Sequence, residues 1–352
     1  MSARCLVRGS INVDEFFHVQ NVVLPGQTIA STNFERRGGG KGANQAAAVA
    51  RANAPVSLVG AVGEDGEWLV RVLRDMGVAV DDVLTVKEEP TGRAIIQLTP
   101  AGENCIILHK GANYARNDTT KEIHQRLREI THLLVQNEVP MPVTLAYLHR
   151  AHERGIATVY NPSPMPSDAE LRSFPWTHIA WLLVNEGEAQ HLSRVLDAST
   201  APPASDLKDP RAPYGAPSTT DLQIVQDAQR TVARLAAHPS FSSTAIVCTL
   251  GGSGVLASIP ALPQPIYLPA SRLEGGPKDT TGAGDCFTGF FVAGLMRVYG
   301  SGDNGHSLGE DDAVQLLRVS ARAAGMCVEK PGALESIPSY ADVQARLTKT
   351  GQ

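Results

Sequence analysis

The sequence predicts an α/β fold: a central, mostly parallel sheet flanked by helices on both faces, with a small β-sheet lobe supplied by the N-terminal third. Three observations carry this reading. From about residue 119, short apolar runs alternate with amphipathic segments of helical length, the pattern of a parallel sheet covered on both sides. Before residue 110, several β-like runs fall outside that alternation. The 32 glycines and 23 prolines in 352 residues call for many tight connections, and they show no collagen-like period.

In chain order, 5–7 reads as an apolar first strand leading into a polar turn at 10–14. Residues 16–23 and 28–34 alternate as strands do. A glycine run, Gly38-Gly39-Gly40, precedes the alanine-rich helix former 43–52. A buried strand at 56–62 and an amphipathic helix at 68–76 follow, then a hairpin of 94–99 and 105–109 about Pro100-Ala101-Gly102-Glu103.

The alternation proper pairs helix 120–130 with strand 132–136, and helix 142–154 with strand 156–160. Strand 179–184 leads into helix 186–196, and helix 222–237 precedes strand 244–249. Residues 197–220 hold five prolines among Ser, Thr and Ala and read as a flexible surface insertion. A glycine-rich connection at 300–309 links the last long helices. No internal repeat breaks the chain up, so it reads as one domain, 1–352. Its small lobe is built from strands within about 15–37 and 88–110.

Composition narrows the function. With 43% hydrophobic and 19% charged residues the chain has ample core. Net charge is −5 and no basic run accumulates, which argues against nucleic acid as a partner. The first residues lack the apolar segment of a secretory signal, and no apolar run nears the roughly 20 residues of a membrane span. Five scattered cysteines make neither a disulfide framework nor a zinc motif and point to a reducing compartment, cytoplasm or nucleus.

Chemistry concentrates in a few segments. In Asp279-Thr280-Thr281-Gly282-Ala283-Gly284-Asp285, small residues open a helix, so its amides and dipole can receive an anion. Asp285 sits in that first turn. Amides that stabilise a transferring phosphoryl group, beside a carboxylate that accepts a hydroxyl proton, are what phosphoryl transfer to an alcohol requires. Gly38-Gly39-Gly40-Lys41-Gly42-Ala43-Asn44-Gln45 opens a second helix without Walker spacing, with Lys41 and Asn44 offering hydrogen bonds to hydroxyls. Polar clusters also end successive strands: Asn12 to Asp14, Asn137-Glu138, Asn185 to Glu188, and Thr249 to Gly254. Together they outline a cleft along the carboxyl edge of the sheet. Glu186 reads as a solvated helix-start residue, His18, His109, His132 and His178 lack metal spacing, and Trp68, Trp176 and Trp181 read as packing residues.

The two glycine segments, about 240 residues apart and in this order, resemble those of the ribokinase-like carbohydrate kinases, and the likeness runs from about residue 5 to 347. The resemblance implies an ATP-dependent transfer of the γ-phosphoryl group to the 5-hydroxyl of D-ribose. Its alternatives are another pentose, fructose or nucleoside kinase, or a non-catalytic sugar binder. It makes Asp285 the general base and Gly282, Ala283 and Gly284 the anion hole. Asn12, Asp14, Gly40, Lys41, Asn44 and Glu138 would hold the sugar, with Thr91 and Gly92 in the closing lid. Asn185 and Glu188 would organise Mg²⁺, and Thr249, Gly251 and Gly254 would line the ATP pocket. A K⁺ site is implied at Asp279, Thr281, Cys327, Lys330, Gly332 and Ser336, where Glu329, Pro331 and Glu335 depart from the family pattern. A homodimer through the lid is the implied assembly. The helix expected to face the base carries Ser320-Ala321-Arg322-Ala323-Ala324, without the Asn or His common there.

Overall fold

A computed structural model describes residues 3–115, 118–196, 207–300 and 308–350. Its strands are β1 (Cys5–Arg8), β2 (Asn12–His18), β3 (Asn33–Gly39), β4 (Val56–Gly63), β5 (Val83–Val86), β6 (Gly92–Leu98) and β7 (Asn104–His109). They continue as β8 (His132–Val135), β9 (Ala157–Tyr160), β10 (Trp181–Asn185), β11 (Ala245–Thr249), β12 (Val255–Ser258) and β13 (Ile266–Leu268). The helices are α1 (Lys41–Arg51), α2 (Glu67–Asp75), α3 (Thr120–Arg126), α4 (Met141–Glu153) and α5 (Asp168–Ser173). They end with α6 (Glu186–Val195), α7 (Leu222–Ala237), α8 (Ala283–Tyr299), α9 (Glu310–Val328) and α10 (Tyr340–Thr350).

Nine strands make one sheet in the order β13-β12-β11-β10-β9-β8-β1-β4-β5. Every pair from β11 to β5 is parallel, and β12 runs antiparallel to both its neighbours. Successive side chains of the central strands enter opposite cores. Val7, Leu58, Leu134 and Leu183 join the core beneath α1, α8 and α9. Leu6, Val59, Leu133 and Leu182 join the one covered by α3, α4, α6 and α7. That two-sided burial is why the strands are continuously apolar in sequence. Trp176 and Trp181 are packing residues: Trp176 stacks among Phe174 and Phe241, with its indole N–H given to the Leu171 carbonyl at 2.9 Å.

The lobe is a four-stranded sheet, β3-β2-β6-β7, with β2 and β6 parallel and the other pairs antiparallel. Only residues 9–11 separate β1 from β2, and only Gly40 separates β3 from α1. The lobe is thus hinged at the carboxyl end of the first strand. Its first two strands lie closer to the main sheet than the expected 16–23 and 28–34, and the expected turn at 10–14 is largely strand. The polar residues that obscured this are satisfied across the ladder: Glu15 pairs with Arg36 at 3.0 Å and with Arg93 at 2.9 Å. The short elements β5, α5, β12 and β13 carry three to six residues each and gave no periodic signal.

Part of the expected flexible insertion, 197–206, and most of the 300–309 connection lie outside the described residues. Residues 207–220 are held against the sheet edge. Arg211 donates its amide to Pro265 at 2.8 Å and accepts that of Tyr267 at 2.8 Å, extending the ladder beside β13. No helix among the described residues is long and apolar enough to cross a membrane.

Candidate active site

Two helix starts meet at the carboxyl edge of the sheet. Gly282, at φ 77°, turns the chain into α8, and a Cβ there would lie 2.8 Å from the Ala333 Cα. This left-handed, crowded position suits glycine alone. At Gly289 of α8 a Cβ would lie 2.4 Å from that of Ala48, so α8 and α1 pack with nothing between them. The close contact brings α1 side chains to the start of α8. Asn44 Nδ2 donates to Asp285 Oδ2 at 2.9 Å, and Gln45 Nε2 donates to Asp285 Oδ1 at 2.9 Å. Gln45 is itself held by Gln136 Nε2 at 2.6 Å and reaches Asn161 Oδ1 at 3.1 Å. Asp285 is therefore buried with both oxygens fixed by amides.

A cavity of 230 Å³ opens beside it, lined by Lys41, Asn185, Glu188, Gly282, Gly284 and Asp285 among others. Asn185 and Glu188 cap α6 reciprocally: Glu188 N donates to Asn185 Oδ1 at 2.8 Å and Asn185 N to Glu188 Oε2 at 2.9 Å. Burial works against the Lys41 ammonium, yet Asp285, Glu138 and Glu188 around it raise its pKa above the ordinary lysine value. A second cavity of 480 Å³ shares Thr249, Thr280 and Gly284 with the first and extends past Gly251, Gly254 and Ala283. The Ala283 amide donates to the Thr280 carbonyl at 3.3 Å, so Gly282 and Gly284, rather than Ala283, face the cavity holding Asp285.

On the lid side, Glu138 Oε2 accepts from Ser10 Oγ at 2.5 Å and from the Lys41 amide at 2.9 Å. Asn12 Oδ1 accepts from Asn113 Nδ2 at 2.7 Å. The Asp14 carboxylate lies against Gly39, where a Cβ would fall 2.1 Å from its oxygen. Burial, with repulsion from Glu138, Glu335 and Asp285, pushes the Asp14 carboxyl up to about 7. Gly40 joins these groups as the residue preceding α1, at φ 89°. Thr91 is buried and tied to Asp65 Oδ1 at 2.8 Å, and Gly92 backs onto Asn12 and Asn113.

Asp279 organises the loop before α8. Its Oδ1 accepts the Thr281 amide and its Oδ2 the Gly332 amide, each at 2.9 Å, with Arg37 of the lid 3.9 Å away. Burial would raise its pKa, but the Gly332 and Thr281 contacts and Arg37 hold it below the usual carboxylate value. Cys327 Sγ and Ser336 Oγ are 2.8 Å apart, and the exposed Lys330 gives its amide to the Cys327 carbonyl at 3.0 Å. Cys286 and Cys327, like Cys5 and Cys248, are buried free thiols.

The expected residues thus gather around Asp285, along the adjoining cavity, at the foot of the lobe and around Asp279, with Lys330 exposed, and five more join them: Ser10, Gln45, Asn113, Gln136 and Asn161. Asn161 directly follows β9, much as Asn185 closes β10, so the polar residues at strand ends could have pointed to it. Gln45 stood in the quoted glycine segment, but nothing local marks a helix glutamine as a partner for a carboxylate 240 residues away.

A family model for pfkB family carbohydrate kinases matches residues 2–339, and the chain belongs to that family. Within it, the chain is 30% identical to a ribokinase of Haemophilus influenzae over 95% of this chain and 94% of that protein. A crystal structure of ribokinase from Cryptococcus neoformans var. grubii serotype A in complex with ADP superposes with TM-score 0.82. It is 44% identical over 98% of this chain and all of that one. Arabidopsis thaliana ribokinase complexed with ribose and ATP gives TM-score 0.76 at 26% identity, covering 99% of both chains.

Proposed function

We propose that this protein transfers the γ-phosphoryl group of ATP to the 5-hydroxyl of D-ribose, giving ribose 5-phosphate. The observation that carries the mechanism is Asp285. It is a buried carboxylate fixed through both oxygens by Asn44 and Gln45, in the first turn of a helix whose opening glycines face the same cavity. Asp285 takes the proton of the attacking hydroxyl, while the helix start and Lys41 receive charge spreading over the phosphoryl oxygens. The ribokinases solved with ADP and with ribose and ATP support this reading of the two joined cavities.

The sugar lies between Asp285 and the lid hinge. Asp14, Asn12 and Glu138 supply acceptors for its hydroxyls, with Gly40 and Lys41 forming the floor. Thr249, Gly251 and Gly254 line the nucleotide cavity. Among the described residues no cluster of three His, Cys, Asp or Glu side chains can hold a metal. Mg²⁺, which keeps its waters and binds mainly to phosphates, fits a site with one well-placed carboxylate, Glu188, beside Asn185. When bound it would neutralise phosphate charge. Two segments that meet at Asp279 offer oxygens for K⁺, Asp279 and Thr281 before α8 and Cys327, Lys330, Gly332 and Ser336 at and after the end of α9. The lid's outermost strand leaves Ile106, Ile107 and Leu108 more than half exposed, which supports homodimerisation through the lid. The reduced cysteines support a cytoplasmic or nuclear location, and the charge distribution gives no footing to nucleic acid.

ADP release from purified protein with ATP, Mg²⁺ and K⁺ across ribose, deoxyribose, fructose and adenosine tests the substrate. Turnover is expected to be fastest on ribose. A preference for another member of the panel would replace the substrate while keeping the site.

A further inference from the structure

We propose that the nucleotide cavity accepts purine nucleoside triphosphates other than ATP, GTP and ITP among them, as phosphoryl donors. The inference rests on the kinase reading above and concerns the end of the 480 Å³ cavity remote from Asp285.

One wall of that end is a single face of α9, with Ala321, Ala324, Gly325 and Val328 at helical spacing. The opposite wall includes Ala270, Leu273 and Pro277. None of these side chains can donate or accept a hydrogen bond.

The polar groups nearby are engaged elsewhere. Ser320 Oγ donates to the Leu316 carbonyl at 2.8 Å, inside the helix. Arg322 Nη1 donates to the Arg272 carbonyl at 2.9 Å. The Arg318 guanidinium lies over the Tyr214 ring, 5.0 Å from its centre. Both arginines line a separate small cavity behind Ala321. The Val328 carbonyl already accepts the amides of Lys278 at 2.9 Å and Asp279 at 3.2 Å, which occupies both its lone pairs.

Ser271 is the polar side chain left at this end. A hydroxyl donates or accepts by rotating, so it meets the amino edge of adenine and the carbonyl edge of guanine or hypoxanthine equally well.

A site rejects a near-isostere by about 10⁴–10⁵ only when its own buried polar groups would be left unpaired, and apolar walls manage about 10². Steric selection remains. The walls meet at Gly325, where a Cβ would lie 3.2 Å from that of Ser271 and 3.4 Å from Leu273 Cδ2, and this contact closes that end of the cavity. That contact limits how far a base can reach, and it does not sense which polar groups the base edge carries.

The test is kcat/KM for ATP, GTP and ITP at saturating ribose, on the wild-type chain and on Ala324→Phe. The wild type should hold ATP and GTP within about 100-fold of each other. Ala324→Phe should raise the KM of all three donors by about tenfold or more while leaving the ribose KM in place. An ATP preference above about 10³-fold would overturn the proposal and leave the kinase reading standing. So would an unchanged donor KM in Ala324→Phe, since the base would then lie elsewhere. Absence of turnover with ATP itself would overturn both, and is thereby told apart from the other results.

Discussion

At the scale of single residues, the site sets two carboxylates, Asp285 and Asp14, in different surroundings. Asp285 has both oxygens committed to Asn44 and Gln45, which fixes its position. Gln45→Ala should therefore lower kcat by about tenfold, the cost of one hydrogen bond to a charged group, with ribose KM little changed. Steady-state kinetics at saturating ATP check this. Asp14 lies against Gly39 and near three other carboxylates, and its pKa stands at about 7 against 3.8 for the free group. The folded chain thus holds a proton that the unfolded chain has lost between pH 3.8 and about 7, so this group's contribution to stability falls as pH rises through that window. Binding of sugar hydroxyls to an ionised Asp14 should run the other way. Ribose affinity weakens as pH drops below about 7, and Asp14→Asn removes that dependence, as calorimetric titration at a series of pH values would show. The motif glycines and their polar neighbours were legible in sequence because each is a local departure from regular structure. Gln45, Asn113 and Gln136 were not, since ordinary amides on a helix, a turn and a strand become site residues only through contacts formed by folding.

At the scale of elements, the packing of α1 on α8 links the two glycine segments. Gly289→Val would force the helices apart where a Cβ already has 2.4 Å to its neighbour. The expected cost is about 1–3 kcal/mol of stability, read by thermal or denaturant unfolding, with kcat falling as Asn44 and Gln45 draw away from Asp285. Helices and strands longer than a few residues were legible where both faces of the sheet impose continuous apolar runs, and α7 matches its expected bounds, Leu222–Ala237. The elements β5 and α5 escaped because they are mostly exposed, and β12 and β13 because they follow β11 as antiparallel strands with no helix between to mark them. The lid strands were displaced because their polar residues are satisfied by cross-strand ion pairs rather than by solvent, a pairing that alternation of hydrophobic residues does not encode.

For the whole molecule, the lobe joins the body through residues 9–11 and Gly40, beside the residues proposed to hold the sugar, so sugar bound there should be coupled to the position of the lobe. The outermost lid strand exposes Ile106, Ile107 and Leu108. If these meet a second copy, Ile107→Glu should shift the protein from dimer to monomer in sedimentation or light scattering, while its melting temperature holds. The direction of the main sheet and the order of its strands place every strand-end cluster on one edge, which is why four unremarkable polar segments could be read together as a cleft.

Turnover of Asp285→Asn, with ribose binding followed in parallel by calorimetry, is the sharpest test of Asp285 as the acceptor of the sugar hydroxyl proton. The carboxamide preserves size and can still meet Asn44 or Gln45 but cannot act as the base. Ribose should bind with near wild-type affinity while kcat falls by about 10²–10⁴-fold. A variant that turns over within about threefold of wild type, with ribose still bound, would contradict it.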